Sequence, residues 1–165
     1  MEEQTKILKL MNEVTSRIDL NDFAKSVNST PKQVLQNMEE LSKTDFVRKT
    51  GGGYGITEKG RTLLRAHSDV PEGMEFVFYL GIGEPTSLKA KSLKEFYEQI
   101  KTADIHSVEF HLYRNDFENW IKAVINDNTL AEEFAKIRAT NEFGETLREE
   151  ILKTIETKYH LSPTG

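Results

Sequence analysis

Apolar positions recur at helical spacing through the first 66 residues, with one interruption. Ile7, Leu8, Leu10, Met11 and Val14 lie three or four apart, which predicts an amphipathic helix over 2–16. Arg17-Ile18 follows as a short extended pair, able to add one or two strand residues. Asp19 or Asn21 can cap a second helix over 20–27, with Phe23, Ala24 and Val27 facing inward. Ser29 or Thr30 caps a third over 30–43. Pro31 sits in its first turn, and Val34, Leu35, Met38 and Leu41 form the expected buried stripe. The period then shortens. Residues 46–50 and 54–57 flank Gly51-Gly52-Gly53, as two strands of a hairpin do. Thr57 can cap a fourth helix over 58–66 that buries Leu63 and Leu64.

Pro71 and Gly73 break the pattern and mark 69–75 as a linker. Phe76-Val77-Phe78-Tyr79-Leu80 reads as a buried strand. Residues 88–101 read as a helix, with Leu88, Leu93, Phe96, Tyr97 and Ile100 apolar. Asn115 or Asp116 can cap a helix carrying Phe117, Trp120, Ile121, Val124 and Ile125. Residues 127–129 interrupt it, and Leu130, Phe134 and Ile137 continue on another. Leu147, Ile151, Ile155 and Tyr159 repeat every four residues and predict a last helix over 143–159. That stripe, widened by Leu152, either closes the C-terminal core or pairs with a second copy in a homodimer. The expected class is α+β, mostly helical. One domain spans 1–68 and a mainly helical one spans 76–159, with at most one or two short strands in the second and a frayed tail over 160–165.

Composition narrows the function classes. The chain has 165 residues, 37% hydrophobic and 30% charged, as an ordinary globular protein does. It has no cysteine, which excludes a disulfide framework and a thiolate metal site. No apolar run approaches the roughly 18 residues of a membrane span, and the MEEQTK start is acidic, so a cytoplasmic protein is expected. The net charge of −5 divides into +1 over 1–70 and −6 over 71–165, a split that suggests two units with different partners.

The five glycines between Gly51 and Gly60 raise the question of a phosphate loop. Gly55-x-x-x-x-Gly60-Arg61-Thr62 lacks the lysine and the preceding buried strand that such a loop needs. In Gly81-Ile82-Gly83-Glu84-Pro85-Thr86, Thr86 stands where a dinucleotide loop has its last glycine, and Pro85 removes an amide. No cofactor is expected. The order helix, strand, helix, helix, hairpin, helix, closed by Tyr54-Gly55-Ile56-Thr57-Glu58-Lys59-Gly60, instead resembles archaeal winged helix-turn-helix proteins. The resemblance covers residues 1–68 and implies that helix 30–43 enters the major groove of duplex DNA while the wing, 46–57, lies along the backbone or minor groove. A transcriptional regulator is then expected.

The side chains suited to that role are Thr30, Lys32, Gln33, Gln36, Asn37 and Lys43 on the helix, Arg48 and Lys49 in the wing, and Arg61 and Arg65 in the following helix. Gln and Asn can pair bidentately with adenine, and Lys and Arg suit phosphates. Across 30–65 there are seven basic and four acidic residues. Such a modest surplus leaves a second reading open, in which the same surface docks on a protein partner or a large machine such as RNA polymerase or the ribosome.

The second half resembles an uncharacterised domain family of archaea and bacteria. The resemblance rests on the apolar run 76–81 ending in Gly81, on His111, on Asp116-Phe117-Glu118-Asn119-Trp120-Ile121, and on Leu130-Ala131. It brings no activity with it. His106, Glu109, His111 and Asp116 match no metal-ligand spacing, so His111 is expected as a hydrogen-bonded core or groove residue. Trp120 beside Phe117 is expected in the core. No catalytic and no metal-ligating residue is assigned.

Overall fold

Helix α1 (Glu2–Glu13) buries Ile7 and Leu8 and carries Glu2 and Glu3 in its first turn, where carboxylates favour the positive end of the helix dipole. The structure is a computed structural model and describes residues 2–14 and 19–163. The Arg17-Ile18 pair and the expected extension of α1 to Ser16 lie outside the described residues. Helix α2 (Leu20–Ser26) buries Phe23 and Ala24. Asp19 stands at its N-cap, but its side chain makes no capping bond. Asn28, at φ 55°, then turns the chain into α3 (Pro31–Lys43). The Thr30 hydroxyl accepts from Gln33 N at 3.2 Å, and Pro31 gives up no bond at the first helical position.

Val34, Met38 and Leu41 are buried on α3, but Leu35 is 44% exposed, against expectation. It follows Val34 by one residue, a rotation of about 100°, which carries it off the buried stripe. Strands β1 (Val47–Thr50) and β2 (Gly53–Ile56) pair antiparallel in the register Val47↔Ile56 to Thr50↔Gly53. Helix α4 (Glu58–Ala66) follows at once. Thr57 caps its start and ties it to the chain just before β1. The Thr57 hydroxyl lies 2.7 Å from Asp45 O and accepts from Gly60 N at 3.0 Å. A Cβ on Gly60 would lie 2.3 Å from Phe46 O, so only glycine lets the helix approach this closely. The glycine of the wing-like segment is therefore a packing glycine, whereas Gly51 at the hairpin turn meets nothing.

Residues 1–65 and 66–164 form two separate compact units. The second opens on a hairpin, β3 (Phe76–Gly81) and β4 (Glu84–Ala90), turned by Ile82-Gly83 with Gly83 at φ 73°. Residues 88–90, expected in a helix, are strand instead. The helix starts later, as α5 (Leu93–Thr102), because Ser92 caps it by accepting from Glu95 N at 3.1 Å while Glu95 reaches back to Lys91 N. Then come α6 (Ile105–Tyr113), capped by Asp104, and α7 (Asp116–Trp120), which runs into a π-helical turn (Ile121–Ile125). Asn115 precedes α7 at φ 67° with no side-chain cap bond. Asp127 caps α8 (Asn128–Ala139) through Leu130 N at 3.0 Å, so the expected interruption is shorter, and Asn128 and Thr129 are already helical.

Helix α9 (Gly144–Tyr159) packs against α5, α6 and α8. Leu147, Ile151, Ile155 and Tyr159 are at most 1% exposed, so these four lie in the unit's own core, and Leu152 beside them is half-buried. Each such aliphatic side chain contributes roughly 1.5–3 kcal/mol on burial. The tail expected to fray from residue 160 is tied down at its start. His160 turns at φ 59°, Leu161 N bonds Glu156 O, and Leu161 is 6% exposed. The fold is thus α+β and mostly helical, with two small two-stranded antiparallel sheets among the described residues. Among these residues no helix is long and apolar enough to cross a membrane.

Candidate functional site

The polar face of α3 is sorted by its neighbours. Lys32, Gln36 and Lys43 are exposed and, among the described residues, have no ion-pair partner. Gln33 is exposed, with its side-chain carbonyl accepting from Ser29 Oγ at 3.0 Å. Thr30 uses its hydroxyl as the helix cap. Asn37 differs from the sequence expectation of an outward residue. It is half-buried, its amide nitrogen donating to Glu3 of α1 and to Gln33 O at 3.0 Å. It lies one turn from both Val34 and Leu41, on the flank that meets α1. Gln4 of α1 likewise donates to Glu40 at 2.8 Å.

The basic residues that follow are partly neutralised. Arg48 pairs with Asp45 at 3.1 Å, and Arg61 with Glu58 at 2.8 Å, all on exposed side chains. The bond from Arg48 holds the Asp45 carboxyl below its usual range. Lys49 and Arg65 have no such partner among the described residues. Lys59 donates to Thr44 O at 2.8 Å and lies over the Phe46 ring, which ties α4 to the end of α3.

A second constellation lies in the C-terminal unit. Ser107 and His111 stand four apart on α6 and so share one face, which meets β3. There the main chain of Tyr79 offers both its polar groups. Its N–H donates to His111 Nε2 at 2.7 Å, and its carbonyl accepts from Ser107 Oγ at 2.6 Å. With Nε2 accepting, the ring proton sits on Nδ1 and is donated to Asp116 Oδ2 at 2.8 Å. Both ring nitrogens are thereby occupied. Burial holds the imidazole below the usual histidine range, while Asp116 pulls the other way. With both nitrogens bonded, the ring fastens α6 to β3. His106, by contrast, is exposed beside Asp104, and Glu109 accepts from Gly144 N at 2.8 Å. Among the described residues no group of three His, Asp or Glu side chains is placed to hold a metal ion.

Around the fastener lies an aromatic cluster. The Phe76 ring centroid is 4.9 Å from that of His111, 5.2 Å from Phe117 and 5.6 Å from Trp120, and Phe96 stacks on Trp120 at 5.2 Å. Trp120 Nε1 donates to Met74 O at 2.7 Å. Residues 73–164 match the sequence model of a family of unknown function, DUF5752. The chain belongs to this family. All the positions on which the sequence resemblance rested lie within the matched DUF5752 segment, and the fold shows what they do together. The apolar run supplies β3, His111 fastens it, Asp116 orients His111, and Trp120 secures the chain before the strand. No curated protein and no solved structure matches the chain.

The bonded roles of three polar side chains of the DUF5752 unit escaped the sequence reading. Ser107 carries no signal except its spacing of four from His111. Arg114 stands between the helix end and Asp116 and reads as an ordinary loop cation. Asp127 was read as a break, yet Asp127-x-x-Leu130 has the spacing of a helix cap. In the fold it is 7% exposed and bonds Lys158 Nζ at 2.5 Å and the Tyr159 hydroxyl. Burial works against its charge, but these bonds and the Leu130 N–H together hold the carboxyl below its usual range.

Proposed function

We propose that residues 1–68 form a winged helix-turn-helix that binds duplex DNA, and that the protein is a cytoplasmic transcriptional regulator. In this reading α3 enters the major groove and the β1–β2 hairpin lies along the phosphate backbone. The observation that carries it is the outer face of α3, where Lys32, Gln36 and Lys43 stand exposed without an ion pair among the described residues, followed in the chain by a hairpin bearing Lys49. Gln36 supplies the base contact, since a glutamine amide can bond adenine bidentately. Lys32, Lys43 and Lys49 supply phosphate contacts, with Arg65 and the exposed ends of Arg48 and Arg61 adding to them. Two copies bound to one duplex would strengthen a weak electrostatic contribution. In this reading the homodimer pairs through the C-terminal unit, with the buried Leu147, Ile151, Ile155 and Tyr159 left in its core.

Fluorescence anisotropy with a labelled random duplex at two salt concentrations tests this reading. Binding that weakens about tenfold or more as salt rises from 50 to 200 mM supports it. Absence of binding at the lower salt rejects it. The second reading, docking on a protein partner, draws on Leu35, which is 44% exposed, and on Glu39 and Glu40, which offset the lysines on the same helix.

A further inference from the structure

The DUF5752 unit holds an open groove of about 460 Å³ between the β3–β4 turn and the junction of α6 with α7. Its size falls within the range of small-molecule sites. Val77, Tyr79, Ile82, Phe110 and Trp120 give it mostly apolar walls, and Arg114 stands among them. Ile82, 83% exposed at the tip of the hairpin, forms one lip of the groove.

The charged groups of the groove are not equivalent. Asp116 already receives the His111 Nδ1–H, and Arg114 Nε lies 3.4 Å from the same oxygen. The Glu75 carboxylate accepts from Gly73 N at 3.2 Å. Arg114 is placed differently. Its guanidinium carbon lies 4.9 Å from the centroid of the Phe110 ring, and its Nε faces Asp116. Aromatic face and carboxylate together fix the guanidinium plane. Among the described residues no group bonds its Nη1 and Nη2 atoms, and its side chain is 50% exposed. A guanidinium held in place with two parallel N–H groups open matches a carboxylate bidentately.

We propose that this groove binds a small molecule carrying a carboxylate on an apolar body. The carboxylate pairs with Nη1 and Nη2 of Arg114, and the apolar part lies against Ile82, Phe110 and Val77. The aromatic packing behind the walls preorganises the site, so little ordering opposes binding. The site is independent of the DNA reading, because every group it uses lies within residues 75–120.

Titration of the full chain with hexanoate, followed by amide chemical shifts and by Arg114 Nε–H, tests the proposal. Hexanoate should shift Val77, Ile82 and Phe110 and bind in about the millimolar range, as expected for so small a probe. Hexanol, which lacks the charge, should bind at least about tenfold more weakly, as should hexanoate to Arg114→Gln. Ile82→Glu alters an exposed position and puts a like charge in the groove, so it should weaken hexanoate in the same way. Three results overturn the proposal: no shifts with hexanoate, shifts unchanged in a folded Arg114→Gln or Ile82→Glu protein, or hexylamine binding as tightly as hexanoate. The last would make Glu75 and Asp116 the recognising groups.

Discussion

The backbone N–H of Tyr79 donates to the ring of His111, 32 residues further along the chain. An N–H in a half-buried strand must find an acceptor, and β4 lies on only one side of β3. Replacing His111 by Ala leaves that donor and Asp116 without their partner and opens a cavity among Phe76, Phe110 and Phe117. The expected loss is about 2–4 kcal/mol in the C-terminal unit. Ser107→Ala removes only one bond and should cost about 1 kcal/mol. Denaturant unfolding followed by tryptophan fluorescence measures both, because the single tryptophan, Trp120, lies in that unit. Equal losses for the two variants would contradict the assigned roles.

The same ring makes the unit sensitive to acid. Burial lowers the folded-state pKa of His111 below its ordinary 6.5, so below about pH 6.5 the unfolded chain takes a proton that the folded one refuses. The contribution is fully present above pH 6.5 and is lost as pH falls towards the folded value. A protonated Nε2 cannot accept from Tyr79, which links the titration to the bond. Stability of wild type should therefore fall below pH 6.5 with a slope of up to about 1.4 kcal/mol per pH unit from this group. In His111→Gln that part of the slope should vanish. The persistence of an identical slope in the variant would assign it elsewhere.

Asp127 titrates in a lower window. Its folded pKa is depressed, so its contribution is present above its ordinary 3.8 and disappears as pH falls through the folded value. Asp127→Asn should destabilise the unit at neutral pH, since it leaves Lys158 half-buried without a counter-charge. Its unfolding curve should approach that of wild type only below about pH 4. A gap that stays constant down to pH 3 would show that packing, not charge, is responsible.

In the N-terminal unit, Gly60→Ala should separate α4 from the chain after α3. The added methyl meets Phe46 O, a main-chain atom with little freedom to move, and a loss of about 1–3 kcal/mol is expected. Amide exchange at Val47 and Ile56 should rise, while Trp120 fluorescence in the other unit stays constant. Gly51→Ala, at the hairpin turn, meets nothing within 4 Å and serves as the control.

For the proposed DNA contact, the geometry separates two residues of similar chemistry. Gln36→Ala should relax preference at one base pair by roughly 1–3 kcal/mol. Asn37→Ala should leave base preference unchanged, because its amide is held by Glu3. Lys49→Ala should reduce the salt slope by about one unit for all sequences. Competition assays with randomised duplexes measure all three. A shift in base preference for Asn37→Ala alone would assign the reading position to the wrong residue.

Periodicity in the sequence was enough to locate most helices and the first hairpin, but of the second hairpin it showed only the strand 76–80. It failed where a local cap outweighed the apolar pattern. Leu88 was read as the first residue of a helix because it is apolar like Leu93, Phe96, Tyr97 and Ile100 after it, but Ser92 and Glu95 fix the start later and leave Leu88 to a strand. Leu35 fitted the α3 stripe by hydrophobicity alone, although its angle excluded it. At the site, His111 and Asp116 were visible as residue types, and their coupling was not, because the turn at Asn115 that brings Asp116 back to His111 leaves no mark in the apolar pattern. Ser107 was invisible because its partner is a main-chain carbonyl and carries no side-chain signature.

The β3–β4 ribbon has little opportunity to grow. One outer edge is occupied at Tyr79 by Ser107 and His111. On the other strand, Gln99 donates to Lys89 O, Val70 N donates to Lys91 O, and Pro85 has no N–H to offer. A two-stranded ribbon with bare edges recruits strands from neighbouring molecules, which is the route to swapped dimers and to fibrils. Here the side chains of two helices take the positions that a third strand would need. Loss of the imidazole would then do more than loosen one chain: it would uncover a place where a second chain can add.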